Sequence, residues 1–134
     1  MRIPRVLIGG VRGKIGKTVI SIGLMLALQK RGLKVQPFKV GPDFIDSSYH
    51  SKAAGRVSRN FDGYLMTKQQ ILQSFIRNCS GVDIAIIEGV MGLFDSINGV
   101  SEMGSTAEIA KILRAPIILV VDAERMSRTA ARWS

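Results

Sequence analysis

A short apolar segment that runs into a glycine-rich turn, and then into a long apolar stretch, constrains this chain most. The segment covers 6–8, the turn covers 9–16, and Lys17-Thr18 opens the following stretch. A strand, a glycine-rich loop and a helix in this order are typical of a phosphate-binding loop, in which backbone N–H groups converge on phosphate oxygens. The stretch therefore predicts a phosphate site where the first helix begins.

The loop is one residue longer than the common pattern G-x-x-x-x-G-K-[ST]. The first glycine of that pattern would fall at Val11, and Gly10 stands one residue earlier. In this pattern Lys17 reaches the β- and γ-phosphates, and Thr18 offers its hydroxyl to Mg²⁺. Lys14 stands in a turn where a positive φ is expected and glycine would be less strained. The residues expected to bind nucleotide are Gly10, Arg12, Gly13, Lys14, Ile15, Gly16, Lys17 and Thr18.

Two alternatives remain open for this loop. A glycine-rich turn can precede a helix that only happens to contain Lys17 and Thr18. Arg12 is either a second phosphate contact or a solvated charge. The order of strand, loop, helix and Gly-Lys-Thr favours the phosphate-binding interpretation.

Length and composition favour one globular, soluble domain over residues 1–134. The chain is 46% hydrophobic and 22% charged, which suits a single core, and no apolar run reaches the length of a membrane span. The N-terminus shows no cleavable signal, and a single cysteine, Cys79, excludes an internal disulfide. Both features favour the cytoplasm.

The net charge of +9 is high for a chain of this length. It would suit nucleic acid, an acidic membrane surface or a polyanionic small substrate. No run of Lys and Arg with interleaved aromatic residues is present, so a solvated basic surface on an acid-poor chain is an equally simple explanation.

Strand-like and helix-like segments alternate along the chain. The patterns predict strands at 5–9, 34–38, 83–87 and 117–121, and helices at 17–30, 67–78 and 105–113. Segment 39–60 shows no clean period and is expected to carry function or short helices. Strands that are apolar on both faces predict a three-layer α/β fold of the P-loop NTPase type with a mostly parallel sheet. The first helix, apolar on most faces, is expected to be buried.

Acidic residues follow the predicted strands, at the edge where such sheets bind ligands. Asp43 and Asp46 follow the second strand, and Glu88 and Asp95 follow the third. Mg²⁺ bound to ATP needs hard oxygen ligands of this kind. The simpler alternatives are turn or helix-cap roles for the first pair, and loop acids bonded to backbone N–H groups for the second. His50, the only histidine, is expected to be a surface or packed residue rather than a catalyst.

Four segments in the same order resemble the cobyrinic acid a,c-diamide synthase family. They are 39–46 (KVGPDFID), 58–62 (SRNFD), 88–95 (EGVMGLFD) and 104–108 (GSTAE). Hydrogenobyrinic acid and nickel-sirohydrochlorin a,c-diamide synthases are close relatives of that family, and the long loop also resembles that of dethiobiotin synthetase. The chain departs from the family at Arg12-Gly13-Lys14, where a Ser-Gly pair is usual.

The resemblance implies ATP- and Mg²⁺-dependent amidation of carboxylates on a corrinoid or other polycarboxylate tetrapyrrole, through an acyl phosphate, in cobalamin biosynthesis. By resemblance, the residues that take part in catalysis are Lys17, Asp43, Asp46, Glu88 and Asp95. Those implied for the metal are Thr18, Asp43 and Glu88. Those implied for the substrate are Asp46 and Asp95. Arg59, set beside the acidic loop, is the first candidate for a contact to a substrate carboxylate.

Members of the family also carry a glutamine-hydrolysing domain with a cysteine nucleophile, which Cys79 does not match. The chain is therefore expected to be the first part of a longer enzyme with a truncated sheet, a truncated gene product, or a partial homologue that uses free ammonia or a partner glutaminase. A homodimer that covers exposed apolar surface is also expected, and membrane and nucleic acid are not.

Partition and cell-division ATPases, which act as nucleotide-switched dimers on DNA or membranes, are the alternative from another class. The positive charge suits them, but the KVGPDFID segment does not. An inactive fragment is the third possibility.

Overall fold

The structure is a computed structural model that describes residues 2–95 and 104–122. Within these residues, five strands form one sheet, and one of four helices follows each of the first four strands along the chain. Their bounds are β1 (Arg5–Gly10), α1 (Lys17–Lys30), β2 (Val35–Val40), α2 (Phe44–Ala54), β3 (Arg59–Phe61), α3 (Lys68–Asn78), β4 (Ile84–Glu88), α4 (Thr106–Leu113) and β5 (Ile117–Val120). The strand order is β3-β2-β4-β1-β5, and every pair is parallel.

The sheet separates two layers of helices, so the predicted three-layer P-loop NTPase-like fold is confirmed. Helices α1 and α2 pack on one face, here called the α1/α2 face, with Ile8, Met25 and Ile86 in its core. Helices α3 and α4 pack on the other, the α3/α4 face, around Phe38 and Phe75. Successive strand residues point to opposite faces, so each strand supplies both cores.

The predicted helix ends are largely present. Thr67 and Gln70 form the reciprocal capping box at the start of α3. Gly32, with φ +85°, ends α1, because its N–H bonds to Gln29 O at 2.9 Å while Leu33 N bonds to Leu28 O at 3.2 Å. At α4 the capping is not reciprocal: Ser105 Oγ accepts from Glu108 N at 3.1 Å, but the Glu108 carboxylate accepts from Gly104 N, at 3.0 Å.

The segment 39–60 is more ordered than the sequence indicated. It contains all of α2 and the start of β3, and the sheet therefore has five strands where the sequence predicted four. The second strand also runs two residues further, to Val40. Residues 96–103, part of the glycine-bearing loop predicted after the third strand, and residues 123–134 at the end of the predicted domain lie outside the described residues.

Helix α1 is not buried all round, which corrects the expectation from its composition. Its buried residues are Lys17, Ser21 and Met25, whereas Val19 is 76% exposed. Apolar residues therefore occupy more of the surface of α1 than its packing against the rest of the chain buries. No helix in 2–95 or 104–122 is both long enough and apolar enough to cross a bilayer.

Candidate functional site: a phosphate loop beside a buried charged cluster

The phosphate-loop residues close tightly between β1 and α1. A Cβ at Gly10 would lie 2.8 Å from Ile15 Cγ2 and 3.2 Å from Lys17 Cδ, so only glycine lets the loop fold back here. Gly16, with φ +96°, precedes α1, whose first turn has no side-chain cap. The free N–H groups of that turn are suitable donors for an anion. Lys14 has φ +52°, which confirms the predicted positive φ.

Lys17 lies where this loop meets the segment after β4. Its ammonium donates hydrogen bonds to Arg12 O and to Met91 O, each at 3.1 Å, and the side chain is buried. Burial and the neighbouring Lys39 charge lower its pKa. Met91 has φ +51°, so its backbone is held in an unusual conformation at this contact.

Four side chains at the carboxyl ends of β2 and β4, and on α2, form a charged cluster: Lys39, Asp46, His50 and Glu88. All are buried except Asp46, whose side chain is 25% exposed. Glu88 Oε2 accepts from Lys39 Nζ at 2.7 Å, and Glu88 Oε1 lies 2.8 Å from His50 Nε2. Lys39 Nζ also donates to Gly89 O at 2.9 Å and lies 3.3 Å from Asp46 Oδ2. Residues 35, 37 and 39 share one face of β2, and residues 84, 86 and 88 share the same face of β4, so both charges point to the α1/α2 face.

The cluster touches the phosphate loop through Thr18, whose hydroxyl donates to Glu88 Oε2 at 2.9 Å. Burial would raise the pKa of Glu88, but the hydrogen bonds from His50 and Lys39 and the Lys39 charge outweigh it and lower the pKa to about 2. Glu88 is therefore an anion at neutral pH. Burial raises the pKa of Asp46, an effect that the Lys39 charge only partly opposes.

One pocket of about 550 Å³ joins the loop and the cluster. Asp43 lines it and also caps α2, since its Oδ1 accepts from Ile45 N at 2.9 Å and from Asp46 N at 3.0 Å. Sequence analysis gave a helix-cap role and a site role for Asp43 as alternatives, and in the structure Asp43 both caps α2 and lines the pocket. The lining residues are Gly13, Lys14, Ile15, Gly16, Lys17, Thr18, Val19, Lys39, Asp43, Asp46, Glu88, Val90 and Met91.

The pocket offers oxygen donors suited to Mg²⁺, although not a complete set. Thr18, Asp43 and Glu88 all line it and present hydroxyl or carboxylate oxygens. Within the described ranges, no three His, Cys, Asp or Glu side chains group closely enough to hold a metal. A magnesium ion here would therefore need phosphate oxygens and water as further ligands, as is usual for Mg²⁺ on a nucleotide.

Three of the predicted site side chains lie outside this pocket. Arg59 lines a separate pocket of about 250 Å³ with Gln36 and Arg56, because it stands at the start of β3 and not at its carboxyl end. Asp95 is exposed and accepts from Gly92 N at 3.1 Å, the loop-acid role. Arg12 Nη2 pairs with Asp122 Oδ2 at 2.8 Å.

Sequence reasoning missed Lys39 and His50 as members of the site. Lys39 lies one residue beyond the strand predicted at 34–38, and its burial beside Glu88 becomes visible only once β2 extends to Val40 and pairs with β4. His50 was expected to be a surface or packed residue rather than a catalyst. It is fully buried, which agrees with the packed alternative, and it also touches the site acid Glu88. Cys79 is buried, and burial raises the pKa of its thiol to about 11, which agrees with a structural role.

Comparison with known proteins agrees with a nucleotide site at the loop between β1 and α1. Residues 6–133 match the family described as the CobQ/CobB/MinD/ParA nucleotide binding domain. The chain is 58% identical to a cobyrinate a,c-diamide synthase of Archaeoglobus fulgidus, over 98% of this chain and 29% of that protein. It is 50% identical to a hydrogenobyrinate a,c-diamide synthase of Streptomyces coelicolor, over 96% of this chain and 26% of that protein. The chain thus spans less than a third of the length of these relatives.

Solved structures resemble the chain in fold alone. The signal recognition particle receptor FtsY of Elizabethkingia anophelis aligns with a TM-score of 0.64 at 17% identity, over 98% of this chain and 46% of that one. Chloroplast FtsY of Physcomitrella patens aligns with a TM-score of 0.60 at 22% identity, over 99% and 46%. Together with the glycine-rich loop, the match over residues 6–133 shows that this chain belongs to the CobQ/CobB/MinD/ParA nucleotide-binding domain family.

Proposed function

We propose that the chain is the ATP-binding part of a carboxylate–amine ligase that converts side-chain carboxylates of a corrinoid, or of another polycarboxylate tetrapyrrole, into amides. The observation that carries the proposal is the meeting of Lys17, Thr18, Lys39 and Glu88 in one pocket. The names of the relatives, cobyrinate and hydrogenobyrinate a,c-diamide synthase, supply the substrate class. The link to cobalamin biosynthesis is part of the proposal and comes from the resemblance of the sequence segments to that family.

ATP would bind along the loop at the start of α1. The N–H groups of residues 13–18 and the Lys17 ammonium would hold the β- and γ-phosphates. Thr18, Asp43 and Glu88 would hold Mg²⁺ together with phosphate oxygens, and the ion would neutralise charge on the triphosphate. Within residues 2–95 and 104–122, Lys17 Nζ donates to two backbone carbonyls, neutral partners that a phosphate oxygen can replace.

The chemistry brings two anions together, and the buried lysines suit that task. An oxygen of the substrate carboxylate attacks the γ-phosphorus, the bond to the β–γ bridging oxygen breaks, and ADP leaves. Ammonia then attacks the carbonyl carbon of the acyl phosphate, inorganic phosphate leaves, and the nitrogen loses a proton. Lys17 and Lys39 lie in the same pocket, where their positive charges would stabilise the approach of a carboxylate to a triphosphate.

The substrate would enter on the α2 side of the pocket. Asp46 lines the pocket beside Lys39, so among the residues proposed for the substrate it is the one placed to orient it there. Arg59, the first candidate from the sequence, and Asp95 lie outside this pocket and stay candidates for the outer parts of a macrocycle.

The nitrogen would come from outside the described residues. We propose either free ammonia or ammonia released by a glutaminase domain or subunit, with the reaction taking place in the cytoplasm. A homodimer that covers the exposed apolar side of α1 is part of the same proposal.

Mass spectrometry tests the proposal directly. The chain is incubated with ATP, Mg²⁺ and ammonium, and with cobyrinic acid or nickel-sirohydrochlorin. One set is run alone, and a second contains the part of the Archaeoglobus fulgidus relative that this chain does not match. We expect a mass change for each carboxylate turned into an amide in the second set, and none with Lys17→Ala.

The family description also covers MinD and ParA, and the net charge of +9 suits a polyanion. The same samples are therefore tested for binding to duplex DNA over a range of salt concentrations. ATP-dependent DNA binding without amide formation in either set would favour a partition-type ATPase and contradict the ligase proposal.

A further inference from the structure

His50 is buried on α2 and meets the site at a single atom. Its side chain is fully excluded from solvent, and Nε2 lies 2.8 Å from Glu88 Oε1. Its second ring nitrogen, Nδ1, is buried and has no hydrogen-bond partner in the described part of the chain. Among the described residues, the imidazole therefore makes its one hydrogen bond with Glu88.

The two oxygens of Glu88 have different partners. Oε1 meets His50, whereas Oε2 accepts from both Thr18 and Lys39. A terminal carboxylate rotates easily about its last torsion, and a buried oxygen without a donor is costly. A donor fixed at Oε1 therefore keeps Oε2 directed at the phosphate loop.

The position of the hydrogen between the two residues follows from the other contacts of the acid. Glu88 Oε2 accepts from Lys39 Nζ and from Thr18 Oγ1, which is the pattern of an ionised carboxylate that only accepts hydrogen bonds. Oε1 therefore accepts from His50, and the ring carries a hydrogen at Nε2.

Helix α2, which bears His50, also positions two acidic residues that line the pocket, Asp43 and Asp46. Asp43 caps α2 and Asp46 lies in its first turn, while His50 lies one turn further along. Asn60 Nδ2 holds the start of α2 through Gly41 O at 2.6 Å and Asp43 O at 2.9 Å. The His50–Glu88 contact therefore links the helix that bears Asp43 and Asp46 to the strand end that faces Thr18.

We propose that His50 is a positioning residue that holds Glu88, and with it the Thr18 hydroxyl, in the arrangement that accepts Mg²⁺ on the nucleotide. The proposal rests on the nucleotide-binding role proposed above. Residues that orient a metal ligand through a hydrogen bond commonly change metal affinity about 10- to 100-fold when they are replaced. His50 should accordingly control the dependence of ATP binding on Mg²⁺, without touching the nucleotide.

Two variants of His50 with the same polar group distinguish the position of the hydrogen-bond donor from its mere presence. The side-chain amide nitrogen of His50→Gln reaches roughly where Nε2 lies, whereas that of His50→Asn reaches only the Nδ1 position. ATP affinity is measured by calorimetry for each variant, once with excess Mg²⁺ and once with EDTA, and the ratio of the two affinities is compared with that of the wild type.

We expect the ratio to fall about tenfold or more in His50→Asn and to remain largely intact in His50→Gln, with the EDTA affinity unchanged in both. Phe75→Leu, a change in the opposite core, serves as the stability control and should leave the ratio unchanged. Equal ratios for the Asn and Gln variants would overturn the positioning role. Absence of ATP binding by the wild type, or of any gain from Mg²⁺, would instead overturn the nucleotide site on which the inference rests.

A second measurement needs no substitution. The chain has one histidine, so the imidazole signals in a ¹⁵N NMR spectrum come from His50 alone. We expect a proton on Nε2, none on Nδ1, and a shift of the Nε2–H signal when Mg²⁺ is added to the ATP-bound chain. A proton on Nδ1 alone, or a signal that does not respond to Mg²⁺, would contradict the proposal even if His50→Asn does not fold.

Discussion

The two faces of the sheet differ in what they bury. The α3/α4 face holds a close-packed apolar core, in which Phe38 stacks on Phe61 with ring centroids 4.5 Å apart and on Phe75 at 5.5 Å. The α1/α2 face buries Lys17, Lys39, Ser47, His50 and Glu88 beside its apolar residues. Both faces are supplied by the same strands, because alternate residues point to opposite sides.

The difference shows where stability and chemistry are separated in this fold. Contacts on the α3/α4 face are mainly apolar, and the buried polar side chains at the start of α4, Ser105 and Thr106, are uncharged. Charges buried on the α1/α2 face persist only because each finds a partner, as Lys39 does in Glu88 and Gly89 O. We therefore expect changes on the first face to affect unfolding and changes on the second to affect nucleotide binding.

The largest effect is expected from Phe75→Ala. Removing a fully buried aromatic side chain should lower the free energy of unfolding by about 3–5 kcal/mol. Phe94→Ala, the same change at an exposed position, is the matched control and should cost far less. Chemical denaturation measures both, and a loss of ATP affinity in folded Phe75→Ala would break the proposed separation of the two faces.

The charged cluster should give a pH-dependent stability. Glu88 has a pKa of about 2 in the folded chain against 4.5 for an ordinary glutamate, because its contacts to His50 and Lys39 outweigh burial. Its contribution, roughly 3 kcal/mol, is complete above pH 4.5 and is lost as the pH falls through 2. Denaturation at several pH values should show this loss, and Glu88→Gln should flatten it. An equally steep loss in that variant would assign the effect to another group.

Lys17→Ala should weaken binding of ATP with Mg²⁺ by about 1.5–3 kcal/mol, since it removes a charge-assisted contact to phosphate. Lys30→Ala, at the other end of α1, is the matched control and should leave binding unchanged. Calorimetry measures both affinities. Equal affinities for Lys17→Ala and wild type would remove the phosphate-loop interpretation.

The smallest effect is expected at Lys14. Its φ of +52° favours glycine, so Lys14→Gly should change the free energy of unfolding by no more than about 1 kcal/mol, in the stabilising direction or not at all. ATP affinity should be unchanged. A clear loss of affinity would show that the Lys14 ammonium contacts phosphate.

The contrast between the faces also explains what the sequence could predict. Helices α3 and α4 were predicted because their apolar stripes and capping residues Thr67 and Ser105 leave a clear pattern. Segment 39–60 was expected to carry function or short helices, but α2 could not be placed within it and β3 was not predicted. The reason is that α2 buries Ser47, His50, Ala53 and Ala54, a face of polar and small residues that has no apolar period.

Some residues of the candidate site were predicted from the sequence and others were not. Lys17, Thr18, Asp43, Asp46 and Glu88 were predicted from motif and strand ends, and they do converge on one pocket. Lys39 and His50 could not be assigned, because their place depends on strand register and on the packing of an unpredicted helix. Arg59 was expected beside the acidic loop, but the register of β3 against Phe38 leaves it at the start of a strand.

A crystal structure of the chain with Mg²⁺ and a non-hydrolysable ATP analogue tests the central claim most directly. We expect the β- and γ-phosphates against Lys17 Nζ and the N–H groups at the start of α1, and the metal against Thr18 Oγ1 on the side of the Glu88 carboxylate. A nucleotide bound away from the pocket shared by residues 13–18 and Glu88, or a metal with no contact to Thr18, would contradict the account.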